Sequence, residues 1–289
     1  MKKKKQVRSY FLYLFLTIWG INSCTIREDD PVVPTSQIVV EGYLFAHKPV
    51  SIRLMESSPF GVDSTIWVPN LQISLESSTG KKMVLNYSGK GEYVSKPTEK
   101  VEGAGTSYTL TFTYKGKEVK AVTTIPEKPK QLKASSSKMI IPQEMIDGGN
   151  SNAIGSGGVI GGGSGSNVGT TLTLSWLNPE SHYYSVKIVN TSVNPEQIRV
   201  LPPGFLLDNL VGQIPPNQRN WMTLYSDQFY AYGRHALILL RLNTDYVALF
   251  DTENSTSLNL KTPPSLISNG LGIFTGVNSD TLYVDILKK

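Results

Sequence analysis

Apolar and polar residues alternate along much of the chain from Gln37 onward. In residues 71–76 and 108–114 every second side chain is apolar. Successive side chains of a strand point to opposite faces of a sheet, so this period puts one set in a core and the other in water. Glycine-containing turns separate five further candidate strands, at 38–44, 50–56, 83–87, 92–95 and 118–125. We therefore predict seven half-buried antiparallel strands before Pro126.

Seven short strands within about ninety residues are typical of one β-sandwich. We expect residues 37–126 to form such a unit, of the immunoglobulin or transthyretin type. A second β unit is predicted for residues 170–289. There, residues 171–176 and 183–188 resemble the second and third strands of a fibronectin type III sandwich, in which the tryptophan, here Trp176, fills the core. The predicted fold is all-β, with two β-sandwich units.

Two other patterns complete the second unit. Residues 236–242 are too continuously apolar for a half-exposed strand, and they predict a buried one. Asn243 or Thr244 can then cap one short helix, because apolar side chains follow at spacings of three and four. Those side chains are Tyr246, Leu249 and Phe250. A closing strand is predicted at 281–287.

A segment rich in lysine, then serine, then glycine lies between the two units, at residues 127–169. Ten of the chain's 25 glycines fall between Gly148 and Gly169. Such a composition buries too little surface to offset its ordering entropy, so we predict a flexible Gly/Ser-rich connector. A phosphate-binding loop is the alternative, but the segment has neither the glycine spacing of a dinucleotide site nor a following Gly-Lys-Ser/Thr.

The N-terminus combines a basic run, an apolar run and the only cysteine of the chain. Residues 2–5 and Arg8 are basic, residues 10–19 are largely apolar, and Cys24 follows. An apolar run of this length is too short to cross a hydrocarbon core of ~30 Å as a helix, but it suits a signal peptide. The layout resembles a bacterial lipoprotein signal, which implies removal of residues 1–23 and a lipid anchor on Cys24 that holds the chain on a membrane. The alternative is an ordinary secretory signal with an incidental cysteine.

Residues 24–36 are acidic and contain two prolines, which favours an extended tether ahead of the first unit. Within it, Glu28, Asp29 and Asp30 resemble the export signal that sends some lipoproteins to the outer face of the outer membrane. We therefore expect an outer-membrane, lipid-anchored protein that faces the exterior. The alternative is that these acids only keep a linker solvated.

Removal of residues 1–23 changes the charge of the chain. Five of its 28 Lys and Arg residues lie there, which leaves 23 against 23 Asp and Glu residues. A nucleic-acid partner requires a clustered basic face, and neither this balance nor any long basic run predicts one. With Cys24 acylated no thiol remains, which excludes disulfides, thiolate-bound metals and a cysteine nucleophile.

The residue types that carry most enzyme chemistry show no recognisable spacing. His47, His182 and His235 are scattered, without a zinc-binding pattern. No Gly-x-Ser-x-Gly nucleophile motif occurs, and nothing selects a pair such as Asp245 and Asp251 as glycosidase carboxylates. We therefore predict no catalytic residue, no metal site, no cofactor and no enzyme activity.

Exposed aromatic side chains are better candidates for function, because their apolar faces and polar edges suit sugars and protein surfaces. We select Phe60, Trp67 and Trp221 as candidate ligand or partner contacts. Burial is the alternative for Trp67, and core packing is favoured for a later aromatic cluster. That cluster consists of Tyr225, Phe229, Tyr230 and Tyr232. The apolar turn at 263–270 either docks a partner or covers a sheet edge.

Several segments form a layout that extends over most of the chain. They are the lipoprotein start and residues 38–44, 56–60, 91–93, 108–110, 123–126 and 263–274. This layout resembles the bacterial lipoproteins grouped as domain-of-unknown-function family 4249. Members of that family tend to be encoded beside TonB-dependent outer-membrane transporters. The resemblance implies an accessory protein with a β-barrel partner, and it implies no catalytic residues.

Three functions agree with these features. The first is a non-enzymatic lipoprotein that helps a TonB-dependent transporter to capture or admit its ligand. The second is a surface adhesin or fimbrial subunit, assembled by strand donation. The third is a carbohydrate-binding module with a planar row of exposed aromatic residues. We favour the first on the family resemblance, because the fold alone does not separate them.

Overall fold

The computed structural model describes residues 36–58, 65–141, 170–198, 212–248 and 265–289. Within these ranges the chain forms sixteen β-strands, one short α-helix and one 3-10 turn. The strands before residue 126 are β1 (Ile38–Phe45), β2 (Ser51–Glu56), β3 (Ile66–Trp67), β4 (Ile73–Ser77), β5 (Lys82–Gly89), β6 (Glu92–Val94), β7 (Ser107–Tyr114) and β8 (Lys117–Thr124). The later elements are β9 (Lys130–Ala134), β10 (Lys138–Ile141), β11 (Thr171–Leu177), β12 (Tyr183–Asn190), β13 (Gly212–Gln213), β14 (Trp221–Tyr225), the 3-10 turn (Ser226–Gln228), β15 (Gly233–Leu242), α1 (Thr244–Val247) and β16 (Leu271–Lys288).

The prediction of an all-β protein built as a β-sandwich, with one short helix, is confirmed. Asn243 is at the N-cap position of α1 with extended backbone, but its side chain makes no capping hydrogen bond, and its Nδ2 donates to the Thr124 carbonyl oxygen at 3.0 Å instead. Leu249 and Phe250, assigned to the same helix, lie outside the described residues. The strands predicted from alternation agree with the observed ones to within about three residues, except at the C-terminus.

Five strands are missed by the sequence pattern: β3, β9, β10, β13 and β14. Two of them, β9 and β10, occupy the start of the segment 127–169, where the composition predicts a flexible connector. Each is short, and the serines at 135–137 interrupt the alternation, so no period is apparent. Met139 and Ile141 are nevertheless buried, because β10 pairs with β16.

The first sandwich contains β1 to β8. One layer holds β1, β2, β3 and β6, and the other holds β4, β7 and β8. β5 joins the two layers, because residues 82–85 pair with β4 and residues 86–89 pair with β6. The inward faces meet in a core where Ile52, Leu75 and Tyr108 are completely buried. This core follows directly from the alternation of the sequence.

The second sandwich packs a large layer against a three-stranded sheet. Its large layer contains β13, β12, β15, the C-terminal half of β16 and β10, and the sheet facing it has the order β14-β11-β9. Leu172, Leu174 and Trp176 of β11 fill the space between them, together with Leu237 and Leu239 of β15. The predicted core role of Trp176 is therefore confirmed.

β16 belongs to both sandwiches, and its 18 residues make it the longest strand described. Residues 271–277 pair in parallel with β1, and residues 277–286 pair antiparallel with β15. As a result Phe274 lies in the first core, whereas Val284 and Ile286 lie in the second. The two sandwiches form a single compact unit.

The junction between the sandwiches is held by close backbone contacts around Gly276. The Gly276 N–H donates to Thr123 Oγ1 at 2.8 Å, and Asn278 Nδ2 donates to the Pro126 carbonyl oxygen at 2.9 Å. A Cβ at Gly276 would lie 2.4 Å from the Thr124 carbonyl oxygen. Only glycine therefore lets β16 approach the end of β8 this closely.

We predict that Gly276→Ala lowers the free energy of unfolding by about 1–3 kcal/mol, because the added methyl group meets backbone that cannot move aside. Denaturant unfolding of the full chain measures the change. Gly103→Ala is the matched control, since its Cβ would lie 3.5 Å from His47 Cε1, an ordinary contact distance. Equal losses in the two variants would contradict the junction described here.

A polar network ties the first described residue to the end of β2. Glu56 Oε1 accepts a hydrogen bond from the Tyr114 hydroxyl and lies 3.1 Å from Lys115 Nζ. Lys115 Nζ also donates to Ser36 Oγ at 2.9 Å. The bond from Tyr114, assisted by Ser36 and Lys115, lowers the pKa of the Glu56 carboxyl from its ordinary 4.5 to about 2.

This depressed pKa predicts an acid-sensitive contribution to stability. Because the unfolded chain binds the proton first, the contribution is complete above pH 4.5 and is lost as the pH falls towards about 2. Glu56→Gln should therefore be less stable than the parent protein at neutral pH, and the gap should close over that window. Urea unfolding at stepwise lower pH measures it. Glu76→Gln, which breaks an exposed ion pair with Lys82, is the control and should show a smaller gap.

Candidate functional site

The outer surface of the three-stranded sheet carries a row of exposed aromatic and hydroxyl side chains. On β14, Met222 and Leu224 point into the core, so the intervening Trp221, Thr223 and Tyr225 point outward. β11 alternates in the same way. Its outward residues that pair with β14 are Thr171, Thr173 and Ser175, and Leu177 follows beyond that pairing. We call the six paired outward residues the aromatic–hydroxyl face.

Strand register aligns the face into rows across the sheet. Tyr225 is opposite Thr171, Thr223 is opposite Thr173, and Trp221 is opposite Ser175. The hydroxyl oxygens of Thr173 and Thr223 are 3.4 Å apart. The face therefore has an aromatic side chain at each end of its outer strand and hydroxyl groups between and beside them.

The two aromatic side chains of the face are well exposed. Trp221 is 46% exposed and Tyr225 is 53% exposed. The backbones of Trp221 and Tyr225 are four residue steps apart along the strand, a distance of about 13 Å at ~3.3 Å per step. The two rings lie on the same side of β14, with Thr223 between them.

Two cations stand at the Trp221 end of the face. The Arg219 guanidinium lies 5.3 Å from the centre of the Trp221 ring. Its backbone is fixed by a turn in which the Arg219 N–H donates to Asn217 Oδ1 at 3.0 Å. Lys133 of β9 is opposite Ser175 and is exposed, so it extends the Trp221 row across the third strand.

The Tyr225 end of the face is anchored by the 3-10 turn that follows β14. Gln228 Oε1 accepts a hydrogen bond from the Tyr225 N–H at 3.0 Å. Phe229, directly after the turn, is completely buried and packs edge-on against the His235 ring at 5.2 Å. The backbone of Tyr225 is therefore held in position by the 3-10 turn and by the burial of Phe229 in the core.

The model of the domain of unknown function DUF4249 matches residues 23–282. The chain belongs to the DUF4249 family. The resemblance drawn from the sequence segments is thus confirmed at the level of the family. No curated protein matches this DUF4249 chain.

Solved structures give only distant similarities to this DUF4249 protein. A crystal structure of titin domains shares 10% identity at a TM-score of 0.22, covering 87% of this chain and 66% of that one. A tetra-tandem repeat of a large adhesion protein shares 9% identity at 0.21, with 87% and 49% covered. The adhesin InvE of Yersinia pseudotuberculosis shares 11% identity at 0.21, with 87% and 58% covered. The chain thus spans under two-thirds of each, and TM-scores this low carry no inference about function.

The structure separates the aromatic residues selected from the sequence. Trp221 lies on the face, whereas Trp67 is half-buried on the first sandwich, opposite Met55. The Arg53 guanidinium is 5.9 Å from the Trp67 ring, and a Cβ at Gly91 would lie 2.9 Å from the same ring. Trp67 and Trp221 therefore belong to different surfaces. Five other selected residues lie outside the described residues: Cys24, Glu28, Asp29, Asp30 and Phe60.

The expectation of core packing for the later aromatic cluster is correct for Phe229 and Tyr232, which are buried. It is wrong for Tyr225. The signal that identifies Tyr225 is the alternation of residues 221–225, where Thr223 marks the outward set and Met222 belongs to the inward set. Because both sets contain large apolar side chains, the alternation is easily missed.

Of the other described candidates, His182 and Asp245 make local contacts and His235 is buried. His182 pairs with Glu180 at 2.6 Å, and burial lowers the pKa of the His235 imidazole. Asp245 Oδ1 accepts a hydrogen bond from the Thr275 hydroxyl at 2.9 Å, while Asp251 is outside the described part. His47 is exposed. Among the described residues, no group of three metal-ligating side chains occurs, and no helix is long and apolar enough to span a membrane.

The described part of the apolar turn, residues 265–270, covers a sheet edge. The Ser268 N–H donates to the Lys120 carbonyl oxygen at 2.8 Å, and Asn269 Nδ2 donates to the Glu118 carbonyl oxygen at 2.8 Å. Ile267 is buried in the first core. Of the two alternatives for this turn, the described contacts support covering the edge of β8.

Proposed function

We propose that this DUF4249 protein is a non-catalytic lipoprotein of the outer membrane that captures a carbohydrate for a TonB-dependent transporter. The observation that carries the binding part of the proposal is the aromatic–hydroxyl face. It combines two exposed aromatic rings with a row of hydroxyl groups on a sheet whose other side is packed in a core. A surface of this kind is suited to binding rather than to structural support.

The chemistry of the face matches that of a sugar chain. A sugar ring has an apolar C–H surface that stacks on an indole or phenol ring, while its hydroxyl groups require hydrogen-bonding partners at the edge. Thr173 and Thr223 offer such partners between the two rings. The separation of about 13 Å between Trp221 and Tyr225 exceeds the size of one sugar ring. The face therefore suits an oligosaccharide or polysaccharide, bound along β14.

Capture without cleavage agrees with the same residues. Glycoside hydrolysis uses a pair of carboxylates on either side of the scissile bond. The six residues of the face are aromatic or hydroxylic, and Arg219 and Lys133 at its Trp221 end are basic, whereas one carboxylate, Asp227, lies in the turn after Tyr225. The six face residues and the two cations can hold a glycan but carry no carboxylic acid with which to protonate its linkage oxygen.

The location and the transporter partner rest on the sequence. The lipoprotein-like start with Cys24, followed by Glu28, Asp29 and Asp30, supports an anchor in the outer membrane with export to the exterior. The tendency of the DUF4249 family to be encoded beside TonB-dependent transporters supports a β-barrel partner. A lipid-anchored protein with a glycan-binding face would raise the local concentration of ligand at such a barrel.

An adhesin or fimbrial subunit is the second candidate function. The observation that favours it is the position of β14 at one end of the three-stranded sheet, where a strand from another subunit can add. In contrast, β1 already pairs with both β2 and β16 of its own chain. Exchange of the N-terminal strand is therefore the less suitable route to a polymer.

We predict that Trp221→Ala and Tyr225→Ala each weaken glycan binding about tenfold or more, because each removes one stacking surface. Affinity electrophoresis of the full-length lipidated protein in detergent, against a panel of polysaccharides, measures the change. Tyr283→Ala is the matched control: Tyr283 is 51% exposed and stacks with Arg234 at 4.8 Å, away from the face. Binding that survives both face substitutions, or that Tyr283→Ala weakens equally, would disprove this role of the face.

We also predict that a gentle detergent pull-down from native membranes recovers a β-barrel transporter in stoichiometric amount with the lipidated protein. Cys24→Ala should leave the membrane fraction, because it removes the lipidated residue. Mass spectrometry of the recovered material identifies the barrel. Recovery of the protein alone would refute the transport role, and recovery as a polymer would favour the fimbrial candidate.

A further inference from the structure

We infer that the carbohydrate bound by the aromatic–hydroxyl face is acidic, with carboxylate or sulfate groups held at the Trp221 end. The inference rests on the proposed function and specifies its ligand. It follows from the arrangement of cations around Trp221, which the net charge of the chain does not reveal.

The first cation is Lys133. It lies in the same row as Ser175 and Trp221, because Ser175 is opposite both residues on its two neighbouring strands. Two strand spacings separate the backbones of Lys133 and Trp221 by about 10 Å. Leu132 and Ala134 pack towards the core, so the exposed Lys133 between them points to the same side as the face. A ligand stacked on Trp221 would thus extend over Ser175 towards this ammonium group.

The second cation is Arg219. Its guanidinium lies over the Trp221 ring, 5.3 Å from the ring centre. A guanidinium offers paired N–H donors that match the two oxygens of a carboxylate or a sulfate. The turn through Asn217 fixes the Arg219 backbone, and the Asn217 N–H and carbonyl oxygen both bond to Tyr184 of β12. The backbone of Arg219 is therefore held in position relative to β12.

Ion pairing neutralises some cations of the second sandwich and leaves others, Arg219 and Lys133 among them, without a carboxylate partner. Lys130 pairs with Glu127 at 2.8 Å, Lys128 with Asp280 at 2.8 Å, and Lys288 with Glu196 at 2.6 Å. Within the described ranges, neither Arg219 nor Lys133 has a carboxylate within ion-pair distance. Two unpaired cations at one end of the aromatic–hydroxyl face complement an anionic ligand, and the charges remain available to it.

The test compares polysaccharides that share a backbone and differ in charge. The probes are polygalacturonate and its methyl ester, carboxymethylcellulose and hydroxyethylcellulose, and dextran sulfate and dextran. For at least one pair, we expect the full-length lipidated protein to bind the acidic member about tenfold or more tightly at about 0.05 M NaCl. The preference should shrink at about 0.5 M NaCl, where screening shortens the range of the charges.

Substitutions assign the preference to the two cations. Arg219→Gln and Lys133→Gln should each weaken binding of the acidic member about fivefold or more and leave any binding of its neutral counterpart unchanged. Trp221→Ala should weaken both. Lys117→Gln, at an exposed lysine of the first sandwich, is the control and should change neither.

Three outcomes would overturn the inference, and they are distinguishable. Equal binding of both members of every pair, still dependent on Trp221, would leave the proposed function intact and refute the acidic ligand. Binding of no polysaccharide at all would refute both the acidic ligand and the proposed function. That result would favour a protein partner for the face. Acidic binding that resists Trp221→Ala and is weakened equally by Lys117→Gln would be unspecific attraction to charge, which refutes the site.

Discussion

The hydrogen bonding of β16 to two different partners is the constraint on which the rest of the fold depends. Its first half completes the layer that contains β1, and its second half completes the layer that contains β15. Val39 of β1 pairs with Leu271 of β16, so these two neighbouring strands lie more than 200 residues apart in the sequence. Non-local pairing of this kind slows folding and couples the stability of the two sandwiches. Gly276 and Asn278 show the same constraint locally, since they connect β16 to the end of β8.

This coupling supports the proposed use of the three-stranded sheet as a binding surface. The inward side of β11 and β14 packs on β12, β15 and β16, so this surface lies on the most extensively paired layer of the molecule. Side chains on a rigid sheet lose little additional freedom when a ligand binds, which lowers the entropic cost of association. The turn after β14 and the turn at Asn217 extend the same support to Tyr225 and Arg219.

The sequence predicts those parts of the fold in which one face is apolar and the other is polar. β1, β4, β7 and β8 meet this condition, and their alternation is sufficient to identify them. β14 does not, because both of its faces carry large apolar side chains, and so the sequence favours a core position for Tyr225. β16 is predicted ten residues too short at its start, because its first half is buried on both sides and is interrupted by Gly272 and Gly276. Trp221 is predictable as an exposed aromatic residue, but the row that joins it to Ser175 and Lys133 depends on strand register, which a single sequence does not specify.

The distribution of charge is a second property that a single sequence does not specify. It is also the basis for the proposed acidic ligand of the face. Beyond residue 23 the chain carries equal numbers of basic and acidic residues, so composition alone predicts no anionic partner. The fold distributes these charges unevenly: Glu127, Asp280 and Glu196 neutralise nearby lysines, whereas Arg219 and Lys133 stand beside Trp221 without a described acidic partner. Recognition of an anion depends on such local imbalance rather than on net charge, because exposed charges act over only about 8 Å at physiological salt. A chain of balanced composition can therefore present a basic, aromatic surface, provided that its acids are paired elsewhere.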